Sequence, residues 1–447
     1  MQKLINNAVE KHRRLILDTE RFIWKHPETG FKEFVTSKYM EDTFESLGYE
    51  LERAGDIPGF CTVIDTGRPG PEVLILAELD SVICPSHPAA NPETGAVHSC
   101  GHNAQCAGLV GVAAALREPG VLDGLSGKIR LCAVPAEELL EIEYRSELRK
   151  KGTIKYFGGK SEFLSRGYFD SSDIAILMHT STKDHFSAAK GSLGCIVKNI
   201  IYKGKAAHAG GAPQNGRNAL YAATCGLNAI NAIRETFTEA NYIRVHPIIT
   251  HGGDMVNAIP ETVRLESFVR GRSFKAIRSA NLRVNRALTG AALSIGANVE
   301  IIDYPGYAPF DNSAEMIEVG REAAELATPN VKYRSTTSIA TGSTDMGDLS
   351  RVMPVFQPKV GGGRGTSHGN DYEIVDPILA CVESAKWQVG IITLLLKDGG
   401  ARARAVVESY KPEFASKVEF LAYIDSLNDS GDRIAYREDG TAEVRFS

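Results

Sequence analysis

The sequence predicts an α/β protein in which a mostly parallel β-sheet, flanked by helices, is accompanied by an inserted, ferredoxin-like α+β domain. Three observations support this fold class. Short apolar runs alternate with helix-like segments over residues 61–179, the pattern changes after Gly191, and 447 residues are too many for one average hydrophobic core. Alternating strands and helices are typical of a parallel sheet with helices on its faces.

The apolar runs that predict the first sheet are four to eight residues long and rich in β-branched residues or leucine. They are CTVIDT (61–66), EVLILAEL (72–79), KIRLCAV (128–134) and DIAILMH (173–179). Helices are predicted on either side of the turn HPETGF, the second from near Ser37, and over 107–118, 161–167, 313–327 and 377–397.

After Gly191 the predicted order becomes strand, helix, strand, strand, helix, strand, which is typical of the split βαβ arrangement of ferredoxin-like domains. The two helices are expected from Asn218 to about Phe237 and from Phe274 to about Ile295. We therefore expect a first domain formed by residues 1–191 and 306–397, an inserted domain at 192–305, and a C-terminal extension at 398–447 to which no chemistry is assigned.

Composition excludes several classes of function. Fifty Lys and Arg residues face 55 Asp and Glu residues, for a net charge of −5, and no basic run is long enough to predict a nucleic-acid partner. The N-terminus lacks the apolar core of a signal peptide, and no uninterrupted stretch approaches the roughly 18 apolar residues of a membrane span. We expect no membrane association and a cytoplasmic location.

The cysteines favour the same compartment, because their spacing is not that of a disulfide framework. Most are expected to be small buried hydrophobic residues. They occupy positions 61, 84, 100, 106, 132, 195, 225 and 381.

Polar residues follow three of the predicted strands. Glu78 and Asp80 end the second apolar run, Glu137 and Glu138 follow the third, and His179 ends the fourth. In open α/β sheets the ligand crevice lies beyond the carboxyl ends of the strands, so these side chains are expected to share one edge.

The segment HSCGHNAQCAG (98–108) adds a thiol and imidazoles just before an apolar helix. The glycine between Cys100 and His102 lets both side chains face one ion, and the helix N-terminus favours a thiolate. Thiolate, imidazole and carboxylate are the ligands of a borderline divalent metal such as zinc. Together with Glu138, His179 and His368, the segment predicts a metal site.

The adjacent carboxylates of PAEE are expected to divide the work, because neighbouring residues leaving a strand point in different directions. Glu138 would bind the metal, and Glu137 would take a proton from water and deliver it to a departing amine. An alternative is a cysteine hydrolase with Cys100 as nucleophile and His102 or His98 as base. That alternative leaves the PAEE carboxylates, His179 and His368 without a role.

Six motifs in order resemble one family: HSCGH, PAEE, MH, GKAAHAGGAPQNGRNAL, NAIPETVRLESFVRG and SHGNDYEI. The family is that of the metal-dependent amidohydrolases that include hippurate hydrolase, auxin–amino-acid conjugate hydrolases and p-aminobenzoyl-glutamate hydrolase subunits. The resemblance covers roughly residues 10 to 395. It implies a catalytic domain carrying an inserted lid or dimerisation domain, a homodimer formed through that lid, and hydrolysis of the amide bond of an N-acyl or N-aroyl amino acid or a related small conjugate.

The resemblance also implies a centre of one or two Zn²⁺ or Mn²⁺ ions, with Co²⁺ possible in their place. It assigns metal ligation to Cys100, His102, Glu138, His179 and His368, and general acid/base catalysis to Glu137. By the same match His208 would reach a neighbouring active site and stabilise the oxyanion. Asn257 and Arg270 would hold the substrate, with the arginine suited to a carboxylate.

The sequence departs from the family pattern at two motifs. CGHNAQ stands for the usual CGHDGH, so Asn103 and Gln105 replace an acid and a histidine, and Glu78-Leu79-Asp80 stands for the usual DxD. Neither change removes an implied ligand, but both bear on the groups that orient the ligands and on a second metal ion. They leave open a non-catalytic, ligand-binding subunit of the same fold.

Overall fold

The computed structural model describes residues 1–446. Its α-helices are α1 (Gln2–Glu10), α2 (Arg13–Lys25), α3 (Phe34–Ser46), α4 (His102–Leu116), α5 (Ile142–Lys150), α6 (Gly159–Arg166), α7 (Ala219–Arg234), α8 (Phe274–Ser294), α9 (Ala314–Ala327), α10 (Met346–Leu349), α11 (Ser384–Leu396), α12 (Ala401–Ser409) and α13 (Lys417–Asp425).

The strands in the first half of the chain are β1 (Glu52–Arg53), β2 (Phe60–Asp65), β3 (Glu72–Glu78), β4 (Val82–Ile83), β5 (Ala96–Val97), β6 (Lys128–Val134), β7 (Ile174–Leu177), β8 (His179–Thr180), β9 (Phe186–Ala188), β10 (Gly191–Ser192) and β11 (Gly194–Lys203). Those in the second half are β12 (Arg244–Val245), β13 (Ile248–His251), β14 (Thr262–Gly271), β15 (Asn298–Pro305), β16 (Phe310–Asp311), β17 (Tyr333–Ser335), β18 (Ile339–Ala340), β19 (Val355–Phe356), β20 (Lys359–Val360), β21 (Gly363–Arg364), β22 (Glu373–Ile374), β23 (Asp429–Asp432), β24 (Ile434–Tyr436) and β25 (Ala442–Val444).

The first of two six-stranded sheets has the strand order β1-β2-β6-β3-β7-β19. Strands β6, β3, β7 and β19 run parallel to one another, whereas β2 pairs antiparallel with both β1 and β6. The sheet is therefore mixed, with its parallel strands on one side. The three predicted strands that end in polar residues, β3, β6 and β7, are adjacent and parallel, so their carboxyl ends share one edge.

Burial on both faces of the sheet explains why strand β3 is apolar at nearly every position. Val73 and Ile75 face one buried cluster, which also contains residues of α1, α2, α4, α9 and α11. Leu74 and Leu76 face a second cluster on the opposite side of the sheet, shared with α6, α10 and α13. A parallel strand covered on both faces loses the alternation of a half-exposed strand.

The second six-stranded sheet is antiparallel, in the order β12-β14-β11-β15-β23, with β13 also paired to β14. Alternate residues of β14 are buried, and Val263, Leu265 and Val269 pack with apolar residues of α7 and α8. The other face of β14 is half-buried and carries Arg264 and Arg270. The predicted helices beginning at Asn218 and Phe274 correspond to α7 and α8.

The C-terminal segment touches both six-stranded sheets. Helix α13 buries Phe420 and Ile424 in the second cluster of the first sheet, while β23 pairs with β15 at an edge of the second sheet. The Asp425 carboxylate accepts hydrogen bonds from Lys155 Nζ at 2.8 Å and from the Tyr156 hydroxyl at 2.9 Å. The segment to which no chemistry was assigned is thus a structural link between the two sheets.

Two cysteines differ from the expectation of unpaired buried thiols. Cys61 of β2 and Cys132 of β6 form a disulfide. They stand directly opposite each other in the antiparallel ladder, with Cα atoms 4.2 Å apart. The sequence alone does not predict this disulfide, because it depends on the register of two strands that are distant along the chain.

One helical stretch among the described residues, Ile378–Leu396, has the length and mean hydropathy (1.4) needed to cross a membrane. Inside the protein 78% of it is buried. It packs beside α4 and α9 as part of the core of the first sheet.

Candidate metal centre

The carboxyl edge of β3, β6 and β7 gathers the polar residues that the sequence places after these strands. The loop before α4 reaches the same edge, and the 366–371 loop joins it through the His368 backbone N–H, which donates to Ser99 O at 2.8 Å. Thr180 Oγ1 donates to Cys100 O at 3.0 Å, which fixes the α4 loop against the strand that follows β7.

Gly101 shapes the loop between the thiol and the imidazole. Its φ of +82° is left-handed, and a Cβ at this position would collide with the side chains of Thr180 and Tyr372. The conformation and the close approach both require glycine. With this turn, Cys100 and His102 point to the same region, as the Cys-Gly-His spacing predicts.

The structure brings the five predicted ligands together in two groups that share Cys100. In one group Cys100, His102 and His179 have potential ligand atoms within 4.8 Å of one another, and in the other Cys100, Glu138 and His368 do. Cys100 Sγ lies 3.5 Å from His179 Nε2, and Glu138 Oε1 lies 3.0 Å from His368 Nε2.

The donors fit a divalent metal ion. His102 Nδ1 donates to Asp80, at 2.9 Å to the backbone oxygen and 3.1 Å to Oδ1. His102 Nε2 is buried and has no hydrogen-bond partner among residues 1–446, although Glu78 Oε2 lies 3.1 Å away. An imidazole held by a carboxylate at one nitrogen, with the other nitrogen unpartnered, is the usual arrangement of a metal-binding histidine.

The electrostatics also favour a cation. Burial and the Glu138 charge raise the pKa of Cys100, but His102 and His179 outweigh them and lower it to about 5. The Glu138 charge raises the pKa of His368 to about 11. Burial lowers the pKa of His102, yet Glu78 and Cys100 leave it well above its usual value. A thiolate and several carboxylates thus concentrate negative charge that a divalent ion would neutralise.

Glu137 lies beside this centre without belonging to either group that shares Cys100. Its carboxyl is within 4.8 Å of Glu78 and His102 ligand atoms. Burial, followed by the charges of Glu78 and Glu138, raises the pKa of Glu137 well above its usual value. The preceding Ala136 has a left-handed φ of +56°, so the chain turns sharply where the two glutamates diverge.

Two of the departures from the family motif, Glu78 and Gln105, contact each other. Gln105 Nε2 donates to Glu78 Oε2 at 2.7 Å, and the Glu78 N–H donates to Gln105 Oε1 at 3.2 Å. Asn103 Nδ2 donates to Glu20 Oε1 at 2.7 Å. The longer Glu78 and the amide of Gln105 therefore form a matched pair beside His102.

Sequence reasoning missed a buried lysine at this edge. Lys160 Nζ donates to Glu78 Oε1 and to Asp345 Oδ1, both at 2.5 Å. Asp345 lies in the TGSTDMGDL segment, and its pKa rises to about 6 because burial outweighs the Lys160 charge. No periodicity marks a lysine for burial, so only its position after the PAEE motif and in the first turn of α6 offered a signal.

Arg270 approaches the first sheet from β14. Its Nη1 donates to Ser343 Oγ at 3.1 Å, two residues before Asp345, and its guanidinium lies 5.1 Å from the Phe268 ring centroid. The predicted substrate-binding arginine is therefore near the loop that supplies the Lys160 partner.

His208 and Asn257 lie together at the opposite end of β14. The Ala209 N–H donates to Asn257 O at 2.9 Å, and His208 pairs with Ala258 through a β-bridge. Both side chains are exposed, and His208 Nδ1 accepts from the Gly210 and Gly211 N–H groups. Along β14 this end is about 30 Å from Arg270. Within one subunit in this conformation, His208 and Asn257 are therefore far from Arg270.

The sequence and the fold of this chain are similar to those of known proteins. Residues 74–392 match the model of peptidase family M20/M25/M40. One of the p-aminobenzoyl-glutamate hydrolase subunits of Escherichia coli is 29% identical over 67% of this chain and 59% of its own length. The human Xaa-Arg dipeptidase is 29% identical over 59% of this chain and 57% of its own length. The chain thus spans less than two thirds of these curated relatives.

A third relative, the indole-3-acetyl-aspartic acid hydrolase of Enterobacter agglomerans, is 26% identical over 67% of this chain and 76% of its own length. Two solved structures share the fold. An aminobenzoyl-glutamate utilization protein from Klebsiella pneumoniae superimposes with a TM-score of 0.64 at 20% identity, covering 87% of this chain and 98% of its own. A dinuclear metal-binding M20 peptidase from Bacillus subtilis gives 0.63 at 19% identity, covering 87% and 99%.

Proposed function

Because the chain belongs to peptidase family M20/M25/M40, we propose that it is a metal-dependent amidohydrolase. Its substrate class is an N-acyl or N-aroyl amino acid, or a related small conjugate joined by an amide bond. The names of the p-aminobenzoyl-glutamate and indole-3-acetyl-aspartic acid hydrolases support an acidic amino acid in the substrate. The proposed location is the cytoplasm, without a nucleic-acid or membrane partner.

The observation that carries this proposal is the pair of ligand groups that share Cys100. The proposed ligands are Cys100, His102, Glu138, His179 and His368. A shared thiolate, with two imidazoles in one group and an imidazole and a carboxylate in the other, suits one or two ions of Zn²⁺ or Mn²⁺, with Co²⁺ as an alternative. Bound metal would supply Lewis acidity towards water and the substrate carbonyl.

Glu137 is the proposed general acid/base. Its carboxyl group is buried, and its pKa is raised well above the usual value, which suits a group that both accepts and returns a proton. In this role it takes a proton from the attacking water and delivers it to the departing amine nitrogen. The Tyr307 hydroxyl donates to the Glu137 backbone oxygen and so helps to hold this residue in place.

The proposed domains are a catalytic domain formed by residues 1–191 and 306–397 and an inserted lid or dimerisation domain at 192–305. Arg270 would bind a substrate carboxylate, since a guanidinium presents paired donors to such a group. His208 and Asn257 lie too far from Arg270 to serve the same site within one subunit. They would instead act on the substrate of a neighbouring subunit, with His208 stabilising the oxyanion.

The exposed edge of the second sheet suits a homodimer. Strand β13 exposes Ile248 and the following loop exposes Val256 completely, whereas the short polar strand β23 forms the opposite edge. Apolar side chains beside unpaired strand edges favour pairing with a second copy of the sheet. A two-fold axis there would bring the same residues of both copies together.

The test is a panel of N-acyl amino acids, aryl-glutamates and dipeptides, assayed with metal-stripped protein to which Zn²⁺, Mn²⁺ or Co²⁺ is returned. We expect hydrolysis that needs the ion and favours acidic amino-acid products. Hydrolysis that survives chelation but stops on thiol alkylation would favour a cysteine nucleophile. Binding without turnover across the panel would favour a non-catalytic subunit.

A further inference from the structure

A fully buried ammonium lies behind the candidate metal centre. Lys160 is 0% exposed, and its Nζ is 2.5 Å from one oxygen of Glu78 and one oxygen of Asp345. Its backbone N–H donates to the second Asp345 oxygen at 2.8 Å. Two carboxylates therefore meet one cation in a space closed to water, where an unpaired charge is costly.

Glu78 connects this ammonium to the predicted ligands, because its two oxygens face different partners. Oε1 accepts from Lys160, while Oε2 accepts from Gln105 Nε2 at 2.7 Å and lies 3.1 Å from His102 Nε2. The carboxylate is thus fixed at both oxygens.

We propose, building on the proposed function, that Lys160 is a positioning residue of the metal centre. It acts through Glu78, which it holds beside His102, and it offsets part of the negative charge that attracts a divalent ion. Removing the ammonium would leave Glu78 and Asp345 without the cation that they share. The centre would then bind a divalent ion more tightly, while the loss of a fixed Glu78 would lower turnover.

A second buried lysine provides a matched control. Lys198 in β11 is also 0% exposed, and its ammonium pairs with Asp303 and donates to Asn281 Oδ1 at 2.9 Å. Its partners lie on α8 and β15, within the second sheet and its helices. Lys198→Met removes a buried ammonium of the same kind without touching Glu78 or His102.

The experiment measures the dissociation constants of Mn²⁺ and Zn²⁺ for metal-stripped, full-length protein, by competition with a chromogenic chelator and without substrate. We expect Lys160→Met to bind the ions at least about tenfold more tightly, and Lys198→Met to stay within about threefold of the unaltered protein. A purely structural role predicts weaker binding, because a loosened centre holds an ion less well. Unchanged or weaker binding by Lys160→Met would overturn the proposal.

Two further variants keep the test decisive if Lys160→Met does not fold. Glu78→Gln leaves the Lys160 charge partly uncompensated, so the ions should bind at least about tenfold more weakly. Lys160→Arg keeps the charge and should bind them within about threefold of the unaltered protein. Unchanged affinity in Glu78→Gln would overturn the proposal.

Turnover gives an independent readout. With the substrate identified by the panel, Lys160→Met should lower kcat at least about tenfold, because Glu78 would no longer be held in place at the metal centre. KM should stay nearly unchanged, because Glu78 is not among the residues proposed to bind the substrate. An unaltered protein that binds no divalent ion would overturn the proposed function and this inference together. Normal ion binding by the unaltered protein and by Lys160→Met alike would overturn this inference alone.

Discussion

His368 Nε2 lies 3.0 Å from Glu138 Oε1, and this contact joins the 366–371 loop to the end of strand β6. Both residues also have potential ligand atoms near Cys100. Three segments that are distant along the chain therefore meet at the carboxyl edge of the first sheet.

Replacement of Glu137 should separate catalysis from metal binding. We expect Glu137→Gln to lower kcat by about 10²- to 10⁴-fold, because the variant lacks the group that moves the proton. Bound metal, measured by elemental analysis, should stay at the level of the unaltered protein. Glu147→Gln changes an exposed glutamate of α5 and serves as the control. Retained activity in Glu137→Gln would contradict its role.

Mixing two inactive variants should test whether His208 acts across a dimer. Both His208→Ala and Glu137→Gln should be nearly inactive alone. In a hybrid of the two, one site has Glu137 from one subunit and His208 from the other. After subunit exchange in an equal mixture, activity should therefore recover to about a quarter of the unaltered value. No recovery in a mixture shown to contain hybrids would place His208 outside the neighbouring site.

Asp348 should make stability fall as pH rises. Burial raises its pKa to about 7 from the usual 3.8, although Ser161 and the Ala308 N–H donate to it. The folded state therefore binds a proton that the unfolded state has released between about pH 4 and 7, and this contribution is lost as pH increases through that window.

Asp348→Asn removes the titration and provides the measurement. Its free energy of unfolding, relative to that of the unaltered protein, should increase from pH 4 to pH 7 by about 1.4 kcal/mol for each unit of pKa shift. Urea denaturation of metal-stripped samples at several pH values checks this. A difference between the two proteins that is constant across the range would show that Asp348 does not titrate there.

The C-terminal segment should contribute to stability through α13. Phe420 is 1% exposed and packs against Phe414, with ring centroids 5.3 Å apart. Phe420→Ala should lower the free energy of unfolding by about 3–5 kcal/mol, because it empties a buried site. Val418→Ala, on the same helix but 72% exposed, should change it by less than about 0.5 kcal/mol. Equal effects in chemical denaturation would contradict the packing of α13.

The sequence predicted the convergence of the ligands better than it predicted their supporting network. Glu138 and His179 were found because apolar strands end just before them, and Cys100 and His102 because a helix begins there. Lys160 was missed, because lysine is rarely buried and its burial depends on carboxylates supplied by distant segments. Only the three-dimensional structure shows that Glu78 and Asp345 lie on either side of its ammonium group.

The strand pairings show the same limit. Strand β23 has the sequence DSGD, which has little intrinsic preference for a strand, yet it pairs with β15. The Cys61–Cys132 disulfide likewise depends on β2 running antiparallel to β6. Local sequence carries the positions of elements, but register and edge pairing come from tertiary packing.

Anomalous X-ray diffraction from crystals grown with Zn²⁺ or Mn²⁺ tests the central claim most directly. For zinc we expect one or two anomalous peaks bounded by the five predicted ligands, with ligand distances of about 2.0–2.3 Å. The peaks should lie next to Cys100. Anomalous density elsewhere in the protein, with none among Cys100, His102, Glu138, His179 and His368, would contradict the account.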